Sequence, residues 1–205
     1  MPTGAYSSFY EFIPKEEVNT IFELGSRDGL DAIDLQNHFD AKVIAWECNP
    51  SAIEICKKNL QGHSNIELIE KAVWSSNKTI TFRPVINGNT GASSVFEANS
   101  DYPYEIPYEQ DLIEVPAVRI DDHWQGPIDL LAIDLQGSEL EALKGMGKLL
   151  NDVKYIITEG QYKRLYHDTP LISDIAEYLS EFGFVLQHKK DVNDWFGDFF
   201  FSKNI

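Results

Sequence analysis

Residues 20–30 read TIFELGSRDGL, an apolar run that closes on an acid and a leucine and then breaks into Gly25 and Gly29, four residues apart. The run has the length and β-branched content of a strand. Gly25 permits a tight turn, and Gly29 lets backbone approach closely where a helix begins. Outward from this turn, a helical pattern covers about 30–38 and the run AKVIAWE ends at Glu47. A second helical pattern covers about 51–60, and NIELIEKAVW at 65–74 reads as a third strand, completing βαβαβ. Runs that are apolar on both faces, such as VIAW and DLLAIDL, fit strands buried on both sides of a parallel sheet.

The alternation lapses over about 78–120. TITFRPV reads as a strand and NGNTGASS as a loop, either a connector or a cover over a site. Pro103, Pro107 and Pro116 keep YPYEIPYEQDLIEVP from forming a long helix. The pattern resumes with DLLAIDL at 129–135, the helix SELEALKGMGKLL, the strand VKYIITE and a helix over about 171–182. In the tail, GFVLQHKKDVNDWFGDFFFSK reads as two strands on a short polar turn, which must be antiparallel because a parallel return needs a long crossover. The expectation is one α/β domain over 1–205, with an N-terminal extension at 1–19 and a lid-like insertion at about 84–120.

The chain has 33 acidic and 17 basic residues, a formal charge of -16, and that field repels polyanions. Nucleic acid is therefore not the expected partner. No apolar run approaches the roughly 20 residues of a membrane span, and the start lacks the basic and apolar regions of a secretory signal. A cytoplasmic location is expected. Two cysteines, Cys48 and Cys56, make neither a disulfide framework nor a four-ligand zinc site. Nothing in the pattern fixes an oligomeric state.

In an open α/β sheet, ligands bind beyond the carboxyl ends of the strands where strand order reverses. Glu47 ends the second strand about 20 residues past the glycine turn, where an acid can accept both ribose hydroxyls. Read alone, Gly25 and Gly29 fit a structural turn as well as a ligand cradle. The same rim is expected to carry Glu23, Glu47, Asp134 and Glu159. Four carboxylates disfavour a pyrophosphate and suit a cation. S-adenosylmethionine, with a nucleoside, a sulfonium and an ammonium but no phosphate, fits this rim better than NAD or FAD, and the G-x-G-x-x-G fingerprint is absent.

From about Ile21 to the C-terminal hairpin, the sequence resembles the FkbM family of S-adenosylmethionine-dependent methyltransferases. ELGSRDG is similar to the family's acid-x-Gly-small-Asn-x-Gly motif, with Arg27 in place of Asn. Glu47-Cys48-Asn49-Pro50 resembles its acid-Pro-Asn-Pro pattern, Ala72-Val73 its adenine-flanking segment, and Ser93-Ser94 a serine-containing loop. IDDHWQGPIDLLAIDLQGSELEALKGM resembles its most specific block, keeping Asp134, Gly137, Glu139, Leu143 and Gly145 but carrying Ala132 for Lys and Gln136 for Glu.

The resemblance implies a doubly wound, mostly parallel seven-stranded sheet with a C-terminal antiparallel hairpin, the Rossmann-like class I methyltransferase fold. It implies methyl transfer to a hydroxyl of a sugar or other small-molecule or glycan acceptor. Glu47 and the adjoining Cys48 and Asn49 would hold the nucleoside, and Ala72 and Val73 would flank the adenine. The loop Leu24, Gly25, Ser26, Arg27, Asp28 and Gly29 would meet the methionine portion, with Glu23 orienting it. Asp134 would bind the donor's ammonium or accept the acceptor's proton, unless it only caps the next helix. Glu159 would be a second catalytic carboxylate or a solvated strand end. No metal is expected, since Asp121 and Asp122 point apart on an extended segment. His123 and His167 read as surface histidines, the FFF run as core, and Tyr102, Tyr104 and Tyr108 as walls of an acceptor pocket. The alternatives are a non-catalytic member that binds the nucleoside donor, suggested by Ala132 and Gln136, and an NAD or nucleotide-sugar enzyme.

Overall fold

The computed structural model describes residues 4–103 and 108–203. Its strands are β1 (Thr20–Leu24), β2 (Lys42–Trp46), β3 (Ile66–Ile69), β4 (Ala72–Val73), β5 (Lys78–Phe82), β6 (Ile113–Val118), β7 (Leu130–Ile133), β8 (Tyr155–Gln161), β9 (Phe184–Asp191) and β10 (Phe196–Lys203). The helices are α1 (Leu30–Phe39), α2 (Pro50–Asn59), α3 (Glu139–Met146) and α4 (Ile172–Ser180). A seven-stranded sheet runs in the order β3-β2-β1-β7-β8-β10-β9. Its first five strands are parallel, and β10 is antiparallel to both β8 and β9. The expected doubly wound sheet and its closing hairpin are both present.

Chain order reverses between β1 and β7, whose ends pair Leu24 with Ile133. The starts of these strands are fastened by Asp129, which accepts the N–H groups of Asn19 (2.9 Å) and Thr20 (3.1 Å) and pairs with Lys154 at 2.9 Å. Side chains alternate across β1, sending Phe22 and Leu24 into a core shared with α3 and α4, and Ile21 into a second core under α1. Both faces are covered, as the apolar runs require.

The N-terminal segment is part of this covering. A 3-10 helix, Ala5–Phe12, buries Tyr6, Phe9 and Tyr10. The Phe9 and Phe200 rings stack at 6.0 Å, and Tyr10 packs edge-on against Phe39 at 5.1 Å.

The third strand expected over 65–74 divides in two. β3 stays in the main sheet, while β4 pairs with β6 in a three-stranded sheet of order β4-β6-β5. β6 lies within the region expected to be lid-like. Pro116 sits inside this middle strand without breaking it because β4 reaches only Ala117 and Val118, so the edge at Pro116 facing β4 has no ladder to complete. Among the described residues, no helix is long and apolar enough to cross a membrane.

Candidate active site

The turn after β1 is shaped by contact with β2 and β7. Gly25 and Ser26 both donate their N–H groups to the Trp46 carbonyl, at 3.0 and 2.9 Å. Gly25 has φ +94°, and a Cβ there would lie 1.9 Å from the carbonyl oxygen of Asp134, so only glycine fits. Gly29, at φ +80°, is the N-cap of α1, and a Cβ on it would come within 2.9 Å of the Cys56 sulfur.

Glu47 ties this turn to β2. One carboxylate oxygen accepts the Arg27 N–H at 2.7 Å, and the other accepts the N–H groups of Cys48 (2.8 Å) and Asn49 (2.7 Å). Burial raises the Glu47 pKa, and these three donors pull it back. Asn49 in turn caps α2 through its side chain, which accepts the Ser51 N–H at 3.2 Å, with Pro50 opening the helix.

A cavity of about 410 Å³ opens at these strand ends. Gly25, Arg27 and Asp28 line it from the turn, Glu47, Cys48 and Asn49 from the end of β2, Ala72 and Val73 from β4, and Asp134 from the end of β7. Leu24, Ser26 and Gly29 are buried behind this lining. Glu23 is also set back. It is 1% exposed, and neither carboxylate oxygen has a hydrogen-bond partner among the described residues. Burial pushes its pKa up to about 8, with the nearby Ser26 hydroxyl lowering it and the charges of Asp31, Glu47 and Asp28 raising it. Glu47 holds the turn through three backbone N–H groups, and Glu23 lies buried behind it, near the Ser26 hydroxyl.

A second cavity, of about 220 Å³, shares Arg27, Gly91, Asp134 and Gln136 with the first. Tyr102, Tyr108 and Glu159 also line it, as do Asn89, Asn99 and Phe196. Tyr104 and Pro107 lie outside the described residues. At the junction Gln136 Nε2 donates to Asp134 Oδ1 (2.6 Å) and Glu159 Oε1 (3.2 Å), and its Oε1 accepts from the Tyr166 hydroxyl (2.6 Å). Burial raises the pKa of Asp134, which the Gln136 amide lowers in part. Burial and the charge of Asp134 drive Glu159 well above the ordinary carboxylate value. Glu139 accepts the N–H groups of Leu135 and Gly137, both at 3.0 Å, and burial takes its pKa to about 7. Asp134, Glu139 and Glu159 bring oxygens within 4.8 Å of one another, a spacing compatible with a cation. The Gln136 amide already bridges two of them.

Asp134 does not cap α3. The cap is Ser138, four residues further on. Ala132 is fully buried within the core under α1. His123 and His167 are exposed, and Asp121 pairs with Arg119. Phe199, Phe200 and Phe201 are core, as expected, but Phe196 reaches the second cavity. Ser93 lines the first cavity, while Ser94 is buried and donates to the Gln136 carbonyl at 2.7 Å. Sequence reasoning missed Tyr6 and Asp31, both of which line the first cavity. The apolar spacing of AYSSFYEF marks Tyr6 for burial without indicating what it faces.

A model of the methyltransferase FkbM domain matches residues 25–186. The chain belongs to the FkbM methyltransferase family. It is 28% identical over 185 residues to the 2-O-methyltransferase NoeI of Sinorhizobium fredii (strain NBRC 101917 / NGR234), covering 84% of this chain and 75% of that one. Among solved structures it is similar to the FkbM methyltransferase of Methylobacillus flagellatus KT, at TM-score 0.62 and 14% identity over 90% of this chain. This chain spans only 44% of that one. It is also similar to TrmK of M. capricolum in complex with S-adenosyl-homocysteine, at TM-score 0.52 and 13% identity, covering 97% of this chain and 67% of the other. These likenesses extend the fold assignment, while the family match carries the methyltransferase class.

Proposed function

We propose that this FkbM-family chain transfers a methyl group from S-adenosylmethionine to a hydroxyl oxygen of a sugar or other small acceptor. The observation that carries the reading is the meeting of two cavities at Asp134 and Gln136, one suited to a nucleoside donor and the other lined with aromatic and amide side chains. The residues present fit the donor. The first cavity is lined by Gly25, by the Glu47 carboxylate that holds the turn, and by Ala72 and Val73 as a small apolar wall. Glu47, with Cys48 and Asn49, would hold the ribose, Ala72 and Val73 would flank the adenine, and the turn over 25–29 would meet the methionine portion.

When bound, S-adenosylmethionine supplies a methyl group already activated on a sulfonium. The chain then has to align an acceptor oxygen opposite the sulfur and receive its proton. Asp134 faces both cavities and Glu159 faces the second, so both stand where that proton would go. Burial raises both carboxyls, and the charge of Asp134 raises Glu159 further; Asp134, which faces both cavities, is assigned as the proton acceptor. Tyr102, Tyr108 and Phe196 offer faces for a sugar ring, and Asn89 and Asn99 offer amides for its hydroxyls. The 2-O-methyltransferase relative supports oxygen as the acceptor atom. The charge of -16 favours an acceptor other than nucleic acid. The free thiols of Cys48 and Cys56 fit the cytoplasm.

Calorimetry with S-adenosylhomocysteine and NADH tests the donor, and binding of NADH but not of S-adenosylhomocysteine would refute it. Labelled S-adenosylmethionine with a panel of saccharides, glycolipids and RNA tests the acceptor. The expected product is a methyl ether on a saccharide. Label appearing only in RNA, or in no acceptor while the donor binds, would overturn the transfer proposed.

A further inference from the structure

Tyr6 lies outside the segment shared with the family, yet it reaches the first cavity alongside Gly25, Asp31 and Asp134. Its side chain is 5% exposed, and its hydroxyl makes no hydrogen bond among the described residues. The segment that carries it is latched in place. Ala5 donates its N–H to Asp31 Oδ1 at 2.8 Å, the Tyr10 hydroxyl donates to Asp34 Oδ2 at 2.9 Å, and Lys190 Nζ donates to Ser8 Oγ at 2.9 Å. Tyr10 also stacks on His38 at 4.3 Å. The phenol is therefore held on a fixed backbone spanning α1 and the β9–β10 hairpin. Ala132 belongs to the same buried cluster as Tyr6.

This end of the cavity is crowded with acids. Asp31 and Asp134 both line it, and Glu23 lies behind. Such a lining suits the ammonium of an α-amino acid but repels its carboxylate unless a donor is present. Burial, followed by the charges of Asp134, Glu23, Asp31 and Asp198, drives the Tyr6 pKa well above its ordinary value, so the phenol keeps its proton and serves as a neutral donor.

We propose that Tyr6 is a donor-binding residue whose hydroxyl hydrogen-bonds the carboxylate of the amino-acid tail of S-adenosylmethionine, so that the N-terminal segment completes the active site. This inference rests on the methyl-donor reading above. Asp31 takes the ammonium of the same tail, and the turn at 25–29 supports its chain. The N-terminal segment thus recognises the part of the ligand that the nucleoside contacts of Glu47 cannot reach.

The test compares two ligands on the full chain by calorimetry, S-adenosylhomocysteine and 5′-methylthioadenosine, which keeps the nucleoside and thioether but lacks the amino-acid tail. Tyr6→Phe retains the ring and its packing and removes only the oxygen. A lost hydrogen bond to a charged group predicts about tenfold weaker S-adenosylhomocysteine binding, with 5′-methylthioadenosine affinity unchanged. Equal weakening of both ligands would mean that the substitution acts only through packing, and no weakening of either would mean that the hydroxyl is not used. Either result overturns the proposal. A wild-type chain that binds neither ligand removes the methyl-donor reading itself, and this inference with it.

Discussion

Glu23→Gln should stabilise the protein at neutral and alkaline pH while leaving its stability near pH 4.5 almost unchanged. The Glu23 carboxyl is 1% exposed and unpartnered among the described residues, and its pKa rises from 4.5 to about 8. A folded-state pKa above the unfolded value means that the folded chain keeps a proton the unfolded chain releases. The associated stability is full below the unfolded pKa and is lost as pH rises toward about 8. At about 1.4 kcal/mol per pH unit, the interval from pH 4.5 to pH 7 costs the native state roughly 3 kcal/mol. Glutamine has nearly the shape of the protonated acid and does not titrate, so it escapes this penalty. Urea denaturation of both proteins at several pH values from about 5 to about 8 should give a flatter dependence for the variant and a gap that widens with pH. Parallel curves, or a variant less stable at the alkaline end, would show that Glu23 does not carry the strain assigned to it. Glu139, with a pKa near 7, and Asp198, near 6, leave a residual slope of the same sign in the variant.

Gly25→Ala sets a methyl group 1.9 Å from the Asp134 carbonyl at φ +94°. Strain and overpacking together should cost about 2–5 kcal/mol, and wild-type melting with intact S-adenosylhomocysteine binding would contradict the geometry. Glu47→Gln leaves an amide NH2 facing either the Arg27 N–H or the pair from Cys48 and Asn49. It should lose about 1–3 kcal/mol in chemical denaturation and bind adenosine-containing ligands at least tenfold more weakly; retention of both properties would refute the assigned role. Gln136→Glu replaces the bridging amide between Asp134 and Glu159 with a third acid. Its melting temperature should match wild type in acid and fall away as pH rises, and a constant difference across pH would count against the bridge.

The sheet was legible because its strands carry their own signals. VIAW and DLLAIDL are apolar on both faces, and the acids at positions 47 and 134 mark where two strands meet the site. The tail hairpin followed from connection length alone. The split of 65–74 was not legible, because the turn at Glu70 and Lys71 lacks glycine or proline and the pairing of Ala72 and Val73 with Ala117 and Val118 depends on a partner far along the chain. Nor was the use of Tyr6, whose pattern indicates burial but not the neighbour that buries it. Arg27 and Gln136, two departures from the family pattern in the site itself, both adopt positive φ, at 49° and 51°. Residue identity alone did not reveal that both would stand between the two cavities.

Strand β9 lies at the outer limit of the sheet, and from Val185 to Asp191 it faces solvent. Such a border offers free amide and carbonyl groups to any passing chain, which is how sheets grow into aggregates. Here it carries His188, Lys189, Lys190 and Asp191, and its ladder with β10 slips between Phe200 and Phe201. Localised charge and broken register make the border a poor template for a further strand, so the sheet stays open and ends at its seventh strand.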